Sequence, residues 1–309
     1  MAVFLFPGQG SQQVGMGRDL YDNYPQVQEL YDTAVTVLGF DLRRVSFEGP
    51  EEQLRETQIT QPALFVHSMA VDLLLKKWGT YPEATAGHSL GEYSAIVSAG
   101  AMDFADALQV VKVRGEEMSR AGEKAPGAMA ALMGATEEQV QEICERASSA
   151  GVLVPANLNS PAQVVLSGNR KAIDKAVEVA RAMGLHRIIK LKVSGAFHSP
   201  LMTPARPALE AVLARVQVRD ARVPVYQNVS ARAVQAAKEI KTNLLLQLES
   251  PVRWEATIRQ LWTDGFIEFY EVGAGKILQG LNRRIVPESL TLSLNSAEDI
   301  SQIHVPTAG

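Results

Sequence analysis

The chain has 309 residues, 46% hydrophobic and 21% charged, which fits one large globular domain or two modest ones with a core that needs no staples. Its net charge of -4 argues against nucleic acid as the main partner. The single cysteine, Cys144, rules out an internal disulfide and speaks against a cysteine-based metal site.

In chain order, Val3 to Phe6 reads as a short apolar strand. The opening lacks a basic leader and a cleavage site, and no apolar run is long enough for a bilayer, so the reading is a cytoplasmic protein with no membrane contact. A glycine-rich loop follows, from Gly8 to Gly17. It fails the dinucleotide fingerprint at Gln13 and the P-loop at Met16, which follows Gly15 where lysine is required. What is left is a loop that offers bare amides near a strand end, suited to an oxyanion or a phosphate. Helical periodicity runs through Tyr24 to Leu38 and Pro62 to Trp78. Small and apolar residues then lead into Gly87-His88-Ser89-Leu90-Gly91, and a helix to about Ala99 follows. Strand, tight turn and helix around Gly-x-Ser-x-Gly form a nucleophile elbow, unless the five residues are only a glycine-rich turn.

Asp103 is placed to cap a helix from Phe104 to about Arg120. Ala107, Val111, Arg114 and Met118 share one face of it. A guanidinium among apolar positions needs a protein carboxylate, a ligand carboxylate, or a route to snorkel into water. From Ala128 the elements alternate: strand to Met133, helix capped by Thr136 to about Ala150, and strands Val152 to Leu158 and Gln163 to Ser167. A helix capped by Asn169 then runs to about Met183, and a strand from Ile188 to Val193. Cys144 sits with Val140, Ile143 and Ala147 on a buried helix face and reads as a small core residue. The order β-α-β-β-α-β is that of a ferredoxin-like unit. Helices are expected at Pro200 to Arg215, Lys238 to Leu248, Pro251 to Asp264 and Lys276 to Arg284, with strands at Val223 to Asn228 and Ile267 to Val272. From about Ser296 the chain is polar and reads as frayed. The expected fold is therefore α/β: a larger α/β-hydrolase-like domain with a central, mostly parallel sheet, residues 1–124 and 196–309, and an inserted ferredoxin-like subdomain, residues 125–195.

A serine hydroxyl needs a base. His67 lies in an apolar helix, His186 in a connection and His304 in the tail. His88 adjoins Ser89, but a neighbour across a sharp turn usually points elsewhere. His198 follows the end of an expected strand, where α/β sites gather their loops, and position favours it. No acid stands out as a third member, so a dyad with a backbone carbonyl fixing the imidazole is the alternative.

With these residues on view, the chain resembles the malonyl-CoA:acyl carrier protein transacylases, the acyltransferases of fatty-acid and polyketide synthesis. The likeness runs nearly end to end. It rests on Phe6-Pro7-Gly8-Gln9-Gly10-Ser11-Gln12, Thr60-Gln61-Pro62-Ala63, Gly87-His88-Ser89-Leu90-Gly91-Glu92 and Val113-Arg114-Gly115. It continues through Asn157-Leu158-Asn159-Ser160-Pro161, Gly195-Ala196-Phe197-His198-Ser199, Gln247-Leu248 with Pro251-Val252 and Trp254, and Tyr270-Glu271-Val272-Gly273. Each is weak alone; all in this order are specific.

The resemblance implies Ser89 as the acylated nucleophile and His198 as its base. It implies the amides of Gln9 and Leu90 as the oxyanion hole, and Arg114 as the group that grips the malonyl carboxylate. A backbone carbonyl at Gln247 would orient His198, and Gln61, Asn157 and Phe197 would line the pocket. Leu90 and Phe197 look like the malonyl-preferring type. The implied reaction is ping-pong transfer from malonyl-CoA through malonyl-serine to the phosphopantetheine thiol of acyl carrier protein. The reading includes no bound cofactor or metal, and a monomer. Lys190, Lys192, Lys276, Arg283 and Arg284 are candidates to meet an acidic carrier protein. Two other classes remain in view. A serine hydrolase of the α/β-hydrolase type needs an acid before His198, and one of the patatin type needs a catalytic aspartate, for which only Asp264-Gly265 offers. A non-catalytic acyl-binding module would have no use for Ser89, His198 and Arg114 together.

Overall fold

A computed structural model describes residues 2–161 and 163–303. Ten strands occur among them: β1 (Ala2–Phe6), β2 (Ala84–Gly87), β3 (Gly127–Met133), β4 (Leu153–Ser160), β5 (Gln163–Asn169), β6 (Ile188–Lys190), β7 (Val225–Tyr226), β8 (Ala233–Val234), β9 (Glu268–Val272) and β10 (Leu290–Leu294). They form two sheets, a six-stranded one in the order β10-β9-β1-β2-β7-β8 and a four-stranded one in the order β4-β5-β3-β6.

The large sheet is parallel except for β8, which runs antiparallel to β7. Val3 to Phe6 are fully buried, as expected of a parallel strand with helices on both faces. Register then decides where the site lies. Phe6 pairs with Gly87, so the glycine-rich loop and the serine turn leave the sheet side by side. Ala86 pairs with Tyr226, which delivers the residues after β7 to the same corner. The small sheet is antiparallel throughout, and its order is that of a ferredoxin-like βαββαβ unit. It is tied to the large sheet's side by bonds from Val252 N–H to Ala156 at 2.8 Å and from Leu158 N–H to Val252 at 2.9 Å.

Several elements differ from the sequence expectation for identifiable reasons. The helix expected from Pro62 begins at Thr57 and runs to Lys77, with Pro62 inside it. One proline early in a helix of 21 residues removes a single backbone bond, and Thr60, Ala63, Leu64 and Phe65 bury the turn around it. The helix from Phe104 runs on to Lys124. Thr136 caps its helix through a reciprocal pair with Gln139, but Asn169 does not cap the next one; its side chain accepts from Val152 N–H at 2.8 Å instead. β6 stops at Lys190, since its alternating residues are half exposed and only one bond, Leu191 N–H to Met129, extends the pairing. β7 has only two residues. The expected helix at Pro200 opens as a 3₁₀ turn, Pro200–Ala205, before Arg206–Arg215. Short helices at Arg18–Asn23, Leu42–Glu48 and Glu51–Leu54 and strand β10 had no periodicity long enough to declare them. The segment read as frayed holds a capped helix, Ala297–Gln302, with Ser296 and Asp299 paired and Ala297 N–H bonded to Asp19.

Candidate active site

Ser89 stands between β2 and the helix Gly91–Ser98 at φ 52°, a left-handed conformation unusual for a residue with a side chain. The turn closes so tightly that a Cβ at Gly91 would lie 2.0 Å from the Phe6 carbonyl, and one at Gly87 2.0 Å from the Gly91 carbonyl. Strain of this kind persists only where the surroundings over-determine it. Here Ser89 N–H donates to Asn228 Oδ1 at 2.7 Å, Asn228 Nδ2 donates to the Gly87 carbonyl at 2.6 Å, and Gln247 Nε2 donates to the Ser89 carbonyl at 3.0 Å. Asn228 in turn donates its N–H to Glu92 at 2.6 Å, and Gln227 donates its amide to the other carboxylate oxygen at 3.1 Å. Glu92 is fully buried, and burial pushes its pKa up to about 7.

His198, also at positive φ (57°), places Nε2 2.8 Å from Ser89 Oγ. Its Nδ1 lies 2.8 Å from the Gln247 main-chain carbonyl. A carbonyl can only accept, so Nδ1 carries the proton, Nε2 is bare, and the serine hydroxyl donates to it. Burial, and then the Arg114 charge, hold the imidazole pKa down to about 3, so the resting ring is neutral. Among the described residues none of the other histidines bonds to Ser89 Oγ, although His88 lies close by. His88 Nε2 is engaged with Asn159 Oδ1 at 2.8 Å, and the buried His67 with Asn295 at 3.1 Å. His186 is exposed in a connection, and His304 lies outside the described residues. Among the described residues no carboxylate bonds to His198 Nδ1, and Asp264, which a patatin-like reading would need, accepts from the Tyr226 hydroxyl at the end of its helix.

Arg114 shares its buried helix face with Ala107, Val111 and Met118 and is 1% exposed, so the snorkelling alternative does not apply. Nη1 donates to Gln61 Oε1 at 2.7 Å; Nη2 donates to Gln247 Oε1 and to Ser89 Oγ, each at 3.0 Å. The guanidinium lies over the Tyr93 ring, 5.4 Å from its centre. Each of these acceptors is neutral, and the buried Nε has none among the described residues. Burial lowers the pKa of Arg114, yet a guanidinium stays charged in a protein. The site therefore holds a desolvated cation with no hydrogen-bonded anion among the described residues, an arrangement that favours an anionic ligand.

Ser89, His198 and Arg114 open onto one cavity of about 490 Å³. Gln9, Gln61, Leu90, Asn157 and Phe197 also line it, so every site residue expected from the sequence is brought to this place except Gln247, which lies fully buried behind the wall. Among the described residues neither the Gln9 nor the Leu90 amide has an acceptor. The small sheet contributes the apolar Met129, Ala131 and Val165 and the polar Asn157, Asn159 and Gln163. Asn228, Glu92 and the side chain of Gln247 were not foreseen. Glu92 left one legible trace, an acid in the first turn of a helix otherwise made of small and apolar residues; Asn228 left none. Cys144 is half buried against its helix face, and burial pushes its thiol up to about 11, away from reactivity.

Residues 3–297 match the acyl transferase domain family. The malonyl CoA-acyl carrier protein transacylase of Bacillus subtilis is 45% identical over 299 residues, covering 96% of this chain and 94% of the relative. The enzyme of the same description from Escherichia coli is 41% identical over 297 residues, covering 95% of each. Among solved structures, the malonyl-CoA:acyl carrier protein transacylase of Xanthomonas oryzae superposes with a TM-score of 0.94 at 39% identity, covering 98% of this chain and 96% of that one. A type II PKS acyl-carrier protein in complex with its malonyl-transacylase superposes with a TM-score of 0.93 at 37% identity, covering 97% of each chain.

Proposed function

This chain belongs to the acyl transferase family, on the malonyl-CoA:acyl carrier protein transacylase branch, and from that premise we propose how its own residues run the transfer. The reaction moves a malonyl group from malonyl-CoA to the phosphopantetheine thiol of acyl carrier protein through an acyl-enzyme. Ser89 Oγ attacks the thioester carbonyl while its proton passes to His198 Nε2, already 2.8 Å away. The Gln247 carbonyl keeps the ring in the tautomer that can accept and steadies the imidazolium that forms. The tetrahedral oxygen is received by the amides of Leu90 and Gln9, each worth about 2.7–4 kcal/mol by analogy with other oxyanion-hole donors. His198 returns its proton to the departing CoA thiolate. The carrier thiol then repeats the sequence on malonyl-Ser89.

Arg114 takes the malonyl carboxylate, a hydrogen-bonded anion that its own neutral acceptors do not supply. This pairing also acts on the base. The Arg114 charge disfavours the imidazolium, and a carboxylate laid against it offsets that charge, so a malonyl thioester strengthens His198 as a base where an acetyl thioester does not. Gln61, Asn157 and Phe197 shape the pocket around the acyl group. The chemistry asks for no metal and no redox cofactor, since proton and oxyanion both have protein partners. The carrier protein meets the cavity mouth near Lys192, which is exposed on its rim; Lys190 is already paired with Asp174. We also take residues 125–195 as a subdomain inserted in 1–124 and 196–309, working as a monomer in the cytoplasm without membrane or nucleic acid. No helix among the described residues is long and apolar enough to cross a membrane.

The observation that carries the proposal is the line from Gln247 O through His198 to Ser89 Oγ, with the buried Arg114, hydrogen-bonded only to neutral acceptors, beside it. Intact-mass measurement after incubation with malonyl-CoA should show one malonyl adduct, lost on adding holo carrier protein, and no adduct on Ser89→Ala. An adduct on that variant would place the nucleophile elsewhere.

A further inference from the structure

Gln247 serves His198 through its main chain, but its side chain has separate partners. Oε1 accepts from Arg114 Nη2 at 3.0 Å, while Nε2 donates to the Ser89 carbonyl at 3.0 Å and lies 3.5 Å from Asn228 Oδ1. The residue is fully buried, so these contacts exclude water. They also fix which way the amide faces. Exchanging its oxygen and nitrogen would set an NH₂ group against the guanidinium and an oxygen against the Ser89 carbonyl. Gln61 Oε1 holds the other terminal nitrogen at 2.7 Å. Two neutral acceptors thus fix the plane of the guanidinium, and the buried Glu92 carboxylate acts on its charge through space without a hydrogen bond to it. A leucine at position 247 could hold neither partner. A glutamate could hold Arg114 but would bring the anion itself and could not donate to Ser89.

We propose that the side chain of Gln247 is a positioning residue for acyl-group selection: it bolts the arginine to the backbone of the nucleophile and so sets the spacing at which a carboxylate-bearing acyl group is accepted. This rests on the malonyl-transfer reading above. One methylene separates the attacked carbonyl of a malonyl thioester from its carboxylate, so the cation must stand beside the serine oxygen, and Nη2 does, at 3.0 Å. That nitrogen is shared between Ser89 Oγ and Gln247. When a carboxylate displaces the Oγ contact, Gln247 remains as the anchor. A substrate without a distal carboxylate makes no use of the register, so the amide should matter more to malonyl transfer than to acetyl transfer, which shares only its hold on the Ser89 carbonyl.

The test is single-turnover acylation of Ser89 by malonyl-CoA and by acetyl-CoA, quenched and read by intact mass, on the wild type, Gln247→Leu and Gln247→Glu. Both variants keep the main-chain carbonyl that orients His198. Gln247→Leu frees the Ser89 carbonyl and so slows both thioesters, but its loss on malonylation should exceed its loss on acetylation by about 10-fold or more, the range for a lost hydrogen bond to a charged group. Gln247→Glu loses the same Ser89 contact and should widen the gap between the two thioesters further, because its carboxylate competes with the substrate's for Arg114. Equal losses on both thioesters, or an unchanged malonylation rate, would overturn the proposal. Should the leucine variant fail to fold, as a melting curve would reveal, the near-isosteric glutamate variant decides alone. The wild type reports separately on the underlying reading: if it takes acetyl as readily as malonyl, that reading falls before any variant is compared.

Discussion

Two regions face each other across the cavity, and they are built on opposite terms. On one side, the corner where β1, β2 and β7 end carries Ser89 on a strained turn whose N–H, carbonyl and hydroxyl are all held by buried partners. On the other side, the small sheet presents the apolar Met129, Ala131 and Val165 together with a few amides, Asn157, Asn159 and Gln163, of which Asn159 meets His88 at 2.8 Å. The first region is determined by polar atoms that tolerate almost no displacement, because each loses a partner if it moves. The second is determined mainly by shape, with a few polar atoms among the apolar ones. Reactivity therefore belongs to the parallel sheet, and the small sheet supplies cover, with Lys192 exposed at the cavity rim.

The sharpest way to break this contrast is at the base. His198→Ala should slow acylation by about 10²–10⁴-fold, the usual worth of general-base catalysis, while the oxyanion amides leave a residue of activity. Near-normal single-turnover rates, with His88→Ala inactive in their place, would move the base to His88. The next effect is one of selection. Arg114→Ala should cut the preference for malonyl-CoA over acetyl-CoA by about 10–150-fold, the equivalent of a charge-assisted hydrogen bond at 1.4 kcal/mol per decade. Comparing kcat/KM for both thioesters on both proteins decides it, and an equal proportional loss would mean that Arg114 only supports its helix.

A pH profile sharpens the same contrast. An exposed imidazole with a pKa near 6.5 would be about nine-tenths protonated at pH 5.5, costing about 10-fold in rate. Burial and Arg114 hold His198 down to about 3, so the resting base stays neutral throughout that range. The acylation rate in rapid-quench experiments should therefore lack the fall between pH 7 and 5.5 that an ordinary histidine would impose. The linkage to stability has a definite sign. The unfolded histidine binds a proton below about 6.5 and the native one does not, so this stabilising contribution is complete above that pH and is lost as pH falls toward 3. A 10-fold drop in rate centred near 6.5 would show the ring to be solvated. The smallest effect belongs to the rim: Lys192→Glu should raise the KM for carrier protein by a few-fold, as exposed charges are worth about 1 kcal/mol or less, and leave the KM for malonyl-CoA unchanged. Equal shifts in both constants would make Lys192 part of the pocket and not of a docking rim.

Much of this was legible in one dimension because its causes are local. Gly87 and Gly91 are demanded by contacts within four residues and with the adjoining strand, so the elbow announced itself as a pattern. The order of elements in residues 128–193 followed from period-2 and period-3.6 alternation, and Arg114 stood out because a cation broke an apolar stripe. The remaining features depend on register between strands far apart in the chain. Ser89 meets His198 across 109 positions, Asn228 across 139 and the Gln247 side chain across 158. A hydrogen bond is a matter of tenths of an ångström and of direction, whereas periodicity places a side chain only on a face. Sequence alone thus determined which residue types this protein brings to acyl transfer and roughly which elements carry them. Which buried amide holds the arginine, which asparagine clamps the serine turn and how burial sets the base were decided only when the sheet's register packed those groups together away from water.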